Sequence, residues 1–258
     1  MFDNFWGRIG HTLSGNWHYL LVALGRTLEL TFISFAIGLV LATLIAISFT
    51  YEKPKLWLRI INRILRILIW LIRSIPAYVM LLLMYFVILA QVNMAAMSIA
   101  IIAFTLYNVA FITKILENAI ASVDKGQYEA GRALGMGNWI VMFRIVLPQA
   151  LKNSIQALGN QLIYTVKNTS VVGFITVIDV TRAFQLIAMS SFDVVVPYIL
   201  LGIVYVIIVG LLTLILRFLE KKVFVYTERM PQKDRRNFFS RFVQKIKKSK
   251  KSEVTDGE

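Results

Sequence analysis

The chain contains no cysteine and only two histidines, and these absences exclude whole classes of chemistry. Without cysteine there is no disulfide scaffold, no thiol nucleophile and no thiolate metal site. His11 and His18 both lie near the N-terminus, so a buried zinc or iron site or a Ser-His-Asp triad deep in the fold has no imidazole to use. The phosphate-binding pattern Gly-x-x-x-x-Gly-Lys-Ser/Thr is also missing. We therefore expect no catalytic residue, no metal site and no ATP site in this chain.

Charged residues are scarce. They make up 16% of the 258 residues, whereas hydrophobic residues make up 58%. An ordinary soluble domain is about 25% charged and about 45–50% apolar. The composition therefore argues against a soluble globular enzyme, and it excludes disorder over most of the length.

Long apolar runs take the place of the missing polar residues. A transmembrane helix needs about 20 mostly apolar residues. Five stretches qualify: Leu28–Thr50, Leu68–Ala90, Ala96–Leu116, Ile155–Ile175 and Val194–Leu216. The sequence therefore predicts an all-α integral membrane protein with about five transmembrane helices.

The basic residues predict the orientation of these helices. The net charge is +14, and thirteen basic residues follow Leu216, while others lie after spans one and three. Lysine and arginine mark the cytoplasmic side of a membrane. We therefore predict a multi-pass plasma-membrane protein with its N-terminus outside and its C-terminus in the cytoplasm. No nucleic acid partner is needed to explain the charge.

The two ends of the chain differ from the spans between them. We therefore predict an extracellular amphipathic segment over residues 1–19, a transmembrane domain over residues 20–219 and a basic cytoplasmic tail over residues 220–258. Apolar residues near the N-terminus share one helical face: Phe2, Phe5, Trp6, Ile9, Leu13 and Trp17. This pattern indicates either an interfacial helix on the outer surface or a short helix packed against the spans. In the tail, apolar residues alternate with arginines and lysines on a second face: Phe238, Phe239, Phe242, Val243 and Ile246. Such a basic amphipathic helix suits anionic lipids, and the alternative is a solvated, poorly ordered tail.

The segment from Asp124 to Pro148 carries the strongest signal, and reads DKGQYEAGRALGMGNWIVMFRIVLP. Helix-favouring residues are stopped by Gly135 and Gly137, and an apolar helical pattern then resumes until Pro148 ends or kinks it. The segment therefore predicts a short helix, a glycine turn and a second short helix on the cytoplasmic side.

This segment resembles the EAA loop of ABC importer permeases. The resemblance rests on Glu129-Ala130-Gly131, on Gly135 and on Ile145-Val146-Leu147-Pro148. The wider strings GQYEAGRALGM and LPQAL resemble the polar amino acid branch of that family, as do Arg73-Ser74-Ile75-Pro76 and Lys167-Asn168-Thr169-Ser170. The similarity extends over about residues 20–218 and implies the type I ABC importer permease fold.

The resemblance also implies a function. The chain would be the transmembrane permease subunit of an ATP-driven importer that translocates a polar amino acid. Six residues would couple it to the ATPase: Glu129, Ala130, Gly131, Gly135, Leu147 and Pro148. ATP and Mg²⁺ would be bound by separate ATPase subunits, and no cofactor by this chain. The other partners would be an extracellular or lipid-anchored amino-acid-binding protein and a second permease copy, identical or different.

Several polar residues lie at membrane depth: Arg73, Asn160, Gln161, Lys167, Asn168, Thr169 and Ser170. Polar groups at this depth face the protein interior or a watery path. We interpret them as lining a translocation pathway for substrate. The alternatives are that serine and threonine hold helices together and that Arg73 extends its charge to the surface.

Lys114 and Glu117 stand where the polar amino acid branch commonly has Glu and, three residues later, Arg. The two signs are thus exchanged as a pair. Residues three apart on a helix share a face, so we predict a structural ion pair near the inner end of span three.

Two other classes remain open at this stage. A channel or an ion-coupled secondary transporter would need no ATPase, but it leaves the Asp124–Pro148 pattern unexplained. A membrane enzyme would need a nucleophile–base pair or a metal site, for which the chain lacks the residues.

Overall fold

The structure, a computed structural model, describes residues 5–51 and 55–224. All regular structure in these ranges is helical: α1 Phe5–Thr50, α2 Leu56–Ser74, α3 Ala77–Leu83, α4 Ala96–Ala121, α5 Lys125–Ala133, α6 Asn138–Val141, α7 Leu147–Asn168, α8 Val180–Ser191 and α9 Val195–Phe224. The chain divides into two units, residues 1–216 and 217–258. Of the second unit the structure describes residues 217–224, the C-terminal end of α9, so the predicted amphipathic face of the tail lies outside the described residues.

Helix α1 is 46 residues long and contains both the first predicted span and most of the predicted N-terminal segment. The prediction of a separate N-terminal helix is therefore corrected from Phe5 onwards. The sequence shows why: no proline interrupts the stretch, and its apolar residues keep helical spacing throughout. The helix ends shortly before Pro54, where a proline disfavours helical backbone in the residue before it.

The second predicted span, Leu68–Ala90, is not one straight helix. The helix is interrupted between α2 and α3, and its axis bends by 111° there. Ile75 is extended, as expected for a residue before proline, and Pro76 forms the N-cap of α3. After α3 the helix widens to a π-helix over Met84–Ile88.

Helix α4 contains the third predicted span, and α9 contains the fifth except for its first residue, Val194. The fourth predicted span begins earlier than predicted, at the start of α7, and continues past Asn168 as a 3₁₀ helix over Thr169–Ile175. A 50° bend then leads into α8, a helix that the sequence analysis did not identify. Counting α1, α4, α9 and the two bent pairs, the described residues provide up to five membrane spans, in agreement with the prediction.

Helix α4 forms the centre of the fold, and its buried residues run along its whole length. Helix α1 packs closely against it at Gly38, where a Cβ atom would lie 2.8 Å from the Cβ of Asn108. Helix α7 packs on another side of α4, and hydrogen bonds join the two helices at Asn108. The faces that carry the candidate site residues are therefore held in place by α4.

Candidate coupling surface and translocation face

The segment after α4 folds as predicted into a helix, a glycine turn and a second helix. The carboxylate of Asp124 caps α5 by accepting a hydrogen bond from the N–H of Gly126 at 2.9 Å. Gly135 has a φ of +79°, a left-handed conformation that favours glycine and ends α5. The N–H of Gly135 donates to the carbonyl of Arg132, and the N–H of Met136 donates to the carbonyl of Gly131. The turn is thus fixed by its own backbone bonds.

Gly131 explains how the two short helices lie against each other. It is buried, and a Cβ atom at this position would lie 2.8 Å from Cγ2 of Val141. Val141 is itself fully buried in an apolar cluster that includes Ala42 of α1 and Leu116 of α4. The base of the segment therefore belongs to the same apolar cluster as two membrane helices.

The opposite side of the segment is open, and we call it the coupling surface: Glu129, Ala130, Leu134, Trp139 and Ile140, all of them exposed. Leu134, beside the glycine turn, has 81% of its surface exposed. The Trp139 ring is stacked with its neighbours Tyr51 and Phe143, at centroid distances of 5.7 and 6.0 Å. Exposed apolar residues held on a rigid base are typical of a surface that binds a protein partner.

The remaining two predicted coupling residues lie at the end of the segment. Leu147 and Pro148 form the first turn of α7, a position at which proline is common. The helical path continues into them through a π-turn over Met142–Val146. Pro148 therefore starts α7 and does not break the chain away from the segment.

The seven predicted pathway residues do not share one surface. Arg73, Asn160 and Lys167 are exposed, and Asn168 and Ser170 are partly exposed. The side chains of Asn168 and Ser170 donate to backbone carbonyls of α7, at 2.8 Å each. The predicted polar cluster of span four is thus divided between two sides of the helix.

The other two members of the set are buried between helices. The Thr169 hydroxyl donates to the carbonyl of Val166 at 2.7 Å, and the Gln161 amide donates to Oδ1 of Asn108 at 3.1 Å. The bond of Thr169 is local to its own helical stretch, whereas the bond of Gln161 joins α7 to α4, as expected of a polar residue that holds helices together.

Asn108 is the centre of a buried polar network that the sequence analysis missed. Its Oδ1 also accepts a hydrogen bond from the Thr165 hydroxyl at 2.8 Å, and its Nδ2 lies 3.5 Å from Oγ of Ser34. The network joins α1, α4 and α7. The signal was present in the sequence, since Asn108 is a polar residue in the middle of an apolar span.

The exposed residues of α7 form one side of a larger surface that we call the translocation face: Arg73, Phe111, Asn160, Tyr164 and Lys167. On α7 the three residues recur at steps of four and three, which places them on one helical face. The Arg73 guanidinium lies 5.2 Å from the centre of the Phe111 ring, and that ring lies 6.4 Å from Tyr164. The face thus combines cations, an amide and aromatic rings.

The predicted pair Lys114–Glu117 lies beside this face and has a third member. The Lys114 ammonium is 3.0 Å from Oε2 of Glu117, and Arg66 of α2 places Nη1 3.3 Å from Oε1. Two cations therefore share one carboxylate. Arg66 lies on α2, and the packing of α2 on α4 brings it to this pair.

At the other end of the fold, α1 is attached to the corner between α8 and α9. Nε of Arg8 donates to Oδ2 of Asp193 at 2.8 Å, and a second guanidinium nitrogen contacts Oδ1. The hydrogen bond from Arg8 lowers the pKa of the Asp193 carboxyl below its ordinary value. The carboxylate also accepts from the N–H groups of Val195 and Val196, and so caps α9.

The residues in the described ranges include no group of three or more His, Cys, Asp or Glu side chains that could bind a metal ion. The ion pairs given above lie between helices, within α4 or, at Asp193, at the N-terminal cap of α9.

The described residues form a multi-pass helical membrane protein with an exposed helix–turn–helix segment, an architecture that suits a membrane transport permease. Residues 38–225 match the family of binding-protein-dependent transport system inner membrane components. The chain belongs to this family.

Relatives and a solved structure agree with this assignment. YckA of Bacillus subtilis (strain 168), described as a probable amino-acid ABC transporter permease protein, is 31% identical over 205 residues, or 79% of this chain and 88% of its own. TcyB of the same organism, an L-cystine transport system permease protein, is 32% identical over 209 residues, covering 80% and 87%. A crystal structure of an amino acid ABC transporter is 30% identical with a TM-score of 0.70, covering 79% of this chain and 93% of that chain.

These similarities confirm the predicted type I ABC importer permease fold and the prediction of a permease subunit in a multi-pass inner membrane protein. They also favour the permease over a channel or an ion-coupled transporter.

Proposed function

We propose that this chain is the permease subunit of an ATP-driven importer that carries an amino acid into the cytoplasm. In this proposal a separate ATPase subunit binds ATP and Mg²⁺, and an extracellular binding protein delivers the substrate. The names of YckA and TcyB, an amino-acid and an L-cystine permease, support the substrate class. The test is uptake of radiolabelled amino acids into proteoliposomes with the ATPase and binding protein. Uptake that needs no ATP would favour a channel or an ion-coupled transporter.

The observation that carries this proposal is the coupling surface. Its base joins the apolar cluster of α1 and α4 through Val141, which packs against Gly131, while Leu134 and Glu129 are exposed. A rigid element attached to two membrane helices transmits a rigid-body movement to both. We assign the coupling surface as the binding site of the ATPase, with Leu134 entering an apolar groove of that subunit.

This docking can be tested by replacing one exposed apolar residue. Leu134→Arg places a charge into the groove, so the ATPase should no longer copurify with the tagged permease, and uptake should be lost. Phe192→Arg is the matched control, because Phe192 is 97% exposed but lies between α8 and α9. Equal recovery of the ATPase with both variants would contradict the docking site.

A second permease copy would complete the pathway. The exposed face of α7 carries Asn160, Tyr164 and Lys167, which are costly to expose to lipid. We infer that this face meets its counterpart on the second copy. The chain has no native cysteine, so Asn160→Cys should form disulfide-linked dimers on mild oxidation. Val206→Cys on α9, 74% exposed and apolar, should not. Equal linkage of the two variants would place the dimer elsewhere.

The orientation and the tail also belong to this proposal. The distribution of lysine and arginine supports an outer N-terminus and a cytoplasmic C-terminus, with anionic lipids as partners of the basic tail. In intact cells an impermeant maleimide should label Phe192→Cys and not Leu134→Cys, since the two residues would lie on opposite sides of the membrane. The reverse pattern would invert the topology.

A further inference from the structure

A cleft of about 440 Å³ opens between α2 and α4, beside the translocation face. This is within the range of about 300–1,000 Å³ for small-molecule sites. Its charged lining residues are Arg66, Arg73, Lys114 and Glu117. Arg73 and Phe111, which contact each other in the cleft, belong to the predicted spans two and three.

The charges in the cleft are unbalanced, with three cations facing one carboxylate. Glu117 already contacts both Arg66 and Lys114. Arg73 forms no ion pair with any residue in the described part of the chain, and its observed contact is with the Phe111 ring. At membrane depth unpaired cations are costly and mark sites that bind ions or substrates. The surplus of two positive charges favours a ligand with two negative groups.

The walls of the cleft suit the remainder of such a ligand. Three aromatic side chains line it: Phe49, Trp70 and Phe111. Thr113 also lines the cleft, and its hydroxyl is buried without a hydrogen-bond partner among the described residues. A buried hydroxyl without a partner is unfavourable unless a ligand or water satisfies it.

We propose that this cleft binds an amino acid that carries two carboxylates. One carboxylate would pair with Arg73, whose planar guanidinium can form two parallel hydrogen bonds to it. The second would join the Arg66–Lys114–Glu117 group, which has a net charge of +1. The two arginines lie seven residues apart on α2, about 10 Å or two turns along the same face. This inference rests on the proposed function, because it names the class of amino acid carried.

Glutamate and glutamine provide a direct test, because they differ in the charge of one side-chain group. Ser74 lines the cleft, and Ser74→Cys introduces the sole thiol of the chain there. The purified permease–ATPase complex is treated with a maleimide, and labelling of the permease is followed on a gel. Glutamate should slow the labelling at a concentration at least about tenfold lower than glutamine, because an added ion pair contributes at least that much. Ser190→Cys, on α8, should be labelled at the same rate with either amino acid.

The role of Arg73 is tested in the Ser74→Cys background. Arg73→Gln should remove the preference for glutamate, whereas Arg59→Gln, on the same helix but outside the cleft, should keep it. If Arg73→Gln fails to assemble, Arg73→Lys takes its place and should keep a weaker preference, because it retains the charge but not the planar fork.

Equal protection by glutamate and glutamine, protection by neither, or equal effects of Arg73→Gln and Arg59→Gln would overturn the inference. ATP-dependent uptake of any amino acid would leave the proposed function intact in each of those cases. A reconstituted complex that transports no amino acid would refute the proposed function, and the dicarboxylate site with it.

Discussion

The shared carboxylate of Glu117 makes a specific prediction about exchanging charges. Glu117 is 23% exposed, while Lys114 and Arg66 are 47% and 54% exposed, so both pairs are partly solvated. An ion pair of this kind contributes about 0.2–1 kcal/mol. Glu117→Lys converts two attractions into two repulsions, which should lower the free energy of unfolding by roughly 1–4 kcal/mol.

Exchanging the charges of positions 114 and 117 together should not fully restore the free energy of unfolding. The double variant Lys114→Glu/Glu117→Lys regains one attraction but leaves a lysine facing Arg66. We expect it to remain roughly 0.4–2 kcal/mol below the wild type. Adding Arg66→Gln removes the repulsion, so the triple variant should lie only roughly 0.2–1 kcal/mol below it. The ion pair considered from sequence alone predicts recovery in the double variant, and the third partner alters that expectation.

Thermal unfolding of the detergent-solubilised permease measures the order of stability of these three variants. For a chain of this size about 2–4 °C corresponds to each kcal/mol. The midpoints should rise from Glu117→Lys, through the double variant, to the triple variant. A double variant as stable as the triple one would show that Arg66 does not interact with position 117. Strictly additive losses would refute the cluster as a whole.

Three further predictions concern other parts of the fold. Gly38→Ala should lower the free energy of unfolding by about 1–3 kcal/mol relative to Gly25→Ala. Both variants gain helix propensity, but only the alanine at position 38 would lie 2.8 Å from the Cβ atom of Asn108. Equal melting temperatures would contradict the close contact of α1 and α4. Gly135→Val should abolish uptake while substrate still binds the extracellular protein, because a β-branched residue is strained at a φ of +79°; normal transport rates would disprove this. Because pairing with Arg8 lowers the pKa of Asp193, this pair stabilises the fold at pH values above the ordinary carboxylate pKa of about 3.9, and the stabilisation should fade as the pH falls below that value. Melting temperatures should therefore fall more steeply from pH 6 to pH 3 in the wild type than in Arg8→Gln. Parallel curves would refute the pairing.

The elements predicted most closely were those with a strong local signal. Helix α4 and the glycine turn at Gly135 follow from an apolar run and from backbone preferences, and both lie where the sequence indicates. The break at Pro76 is likewise a local effect, because the ring removes an N–H and constrains the preceding residue. Its angle of 111° is not local, since it depends on how α3 packs against α4.

The contacts between helices could not be predicted from local sequence signals. Lys114 and Glu117 are close in sequence, so their pairing is a local inference, but Arg66 reaches them only through the packing of α2 on α4. The division of α7 into a buried side and an exposed side also depends on its neighbours. Gln161 is buried because Asn108 lies opposite it, whereas Asn160, the preceding residue, is exposed.

The length of α1 exceeds the thickness of a lipid bilayer. A helix of 46 residues is about 69 Å long, whereas a bilayer with its headgroups is about 40–45 Å thick. Even at a tilt of 40°, the upper end of the observed range, it would span about 53 Å. At any tilt up to 40°, at least about 8 Å of the helix length therefore extends beyond the lipid. A partner that docks on the side where α1 extends beyond the lipid would have to fit around this helix, so the length of α1 would restrict the shape of such a partner.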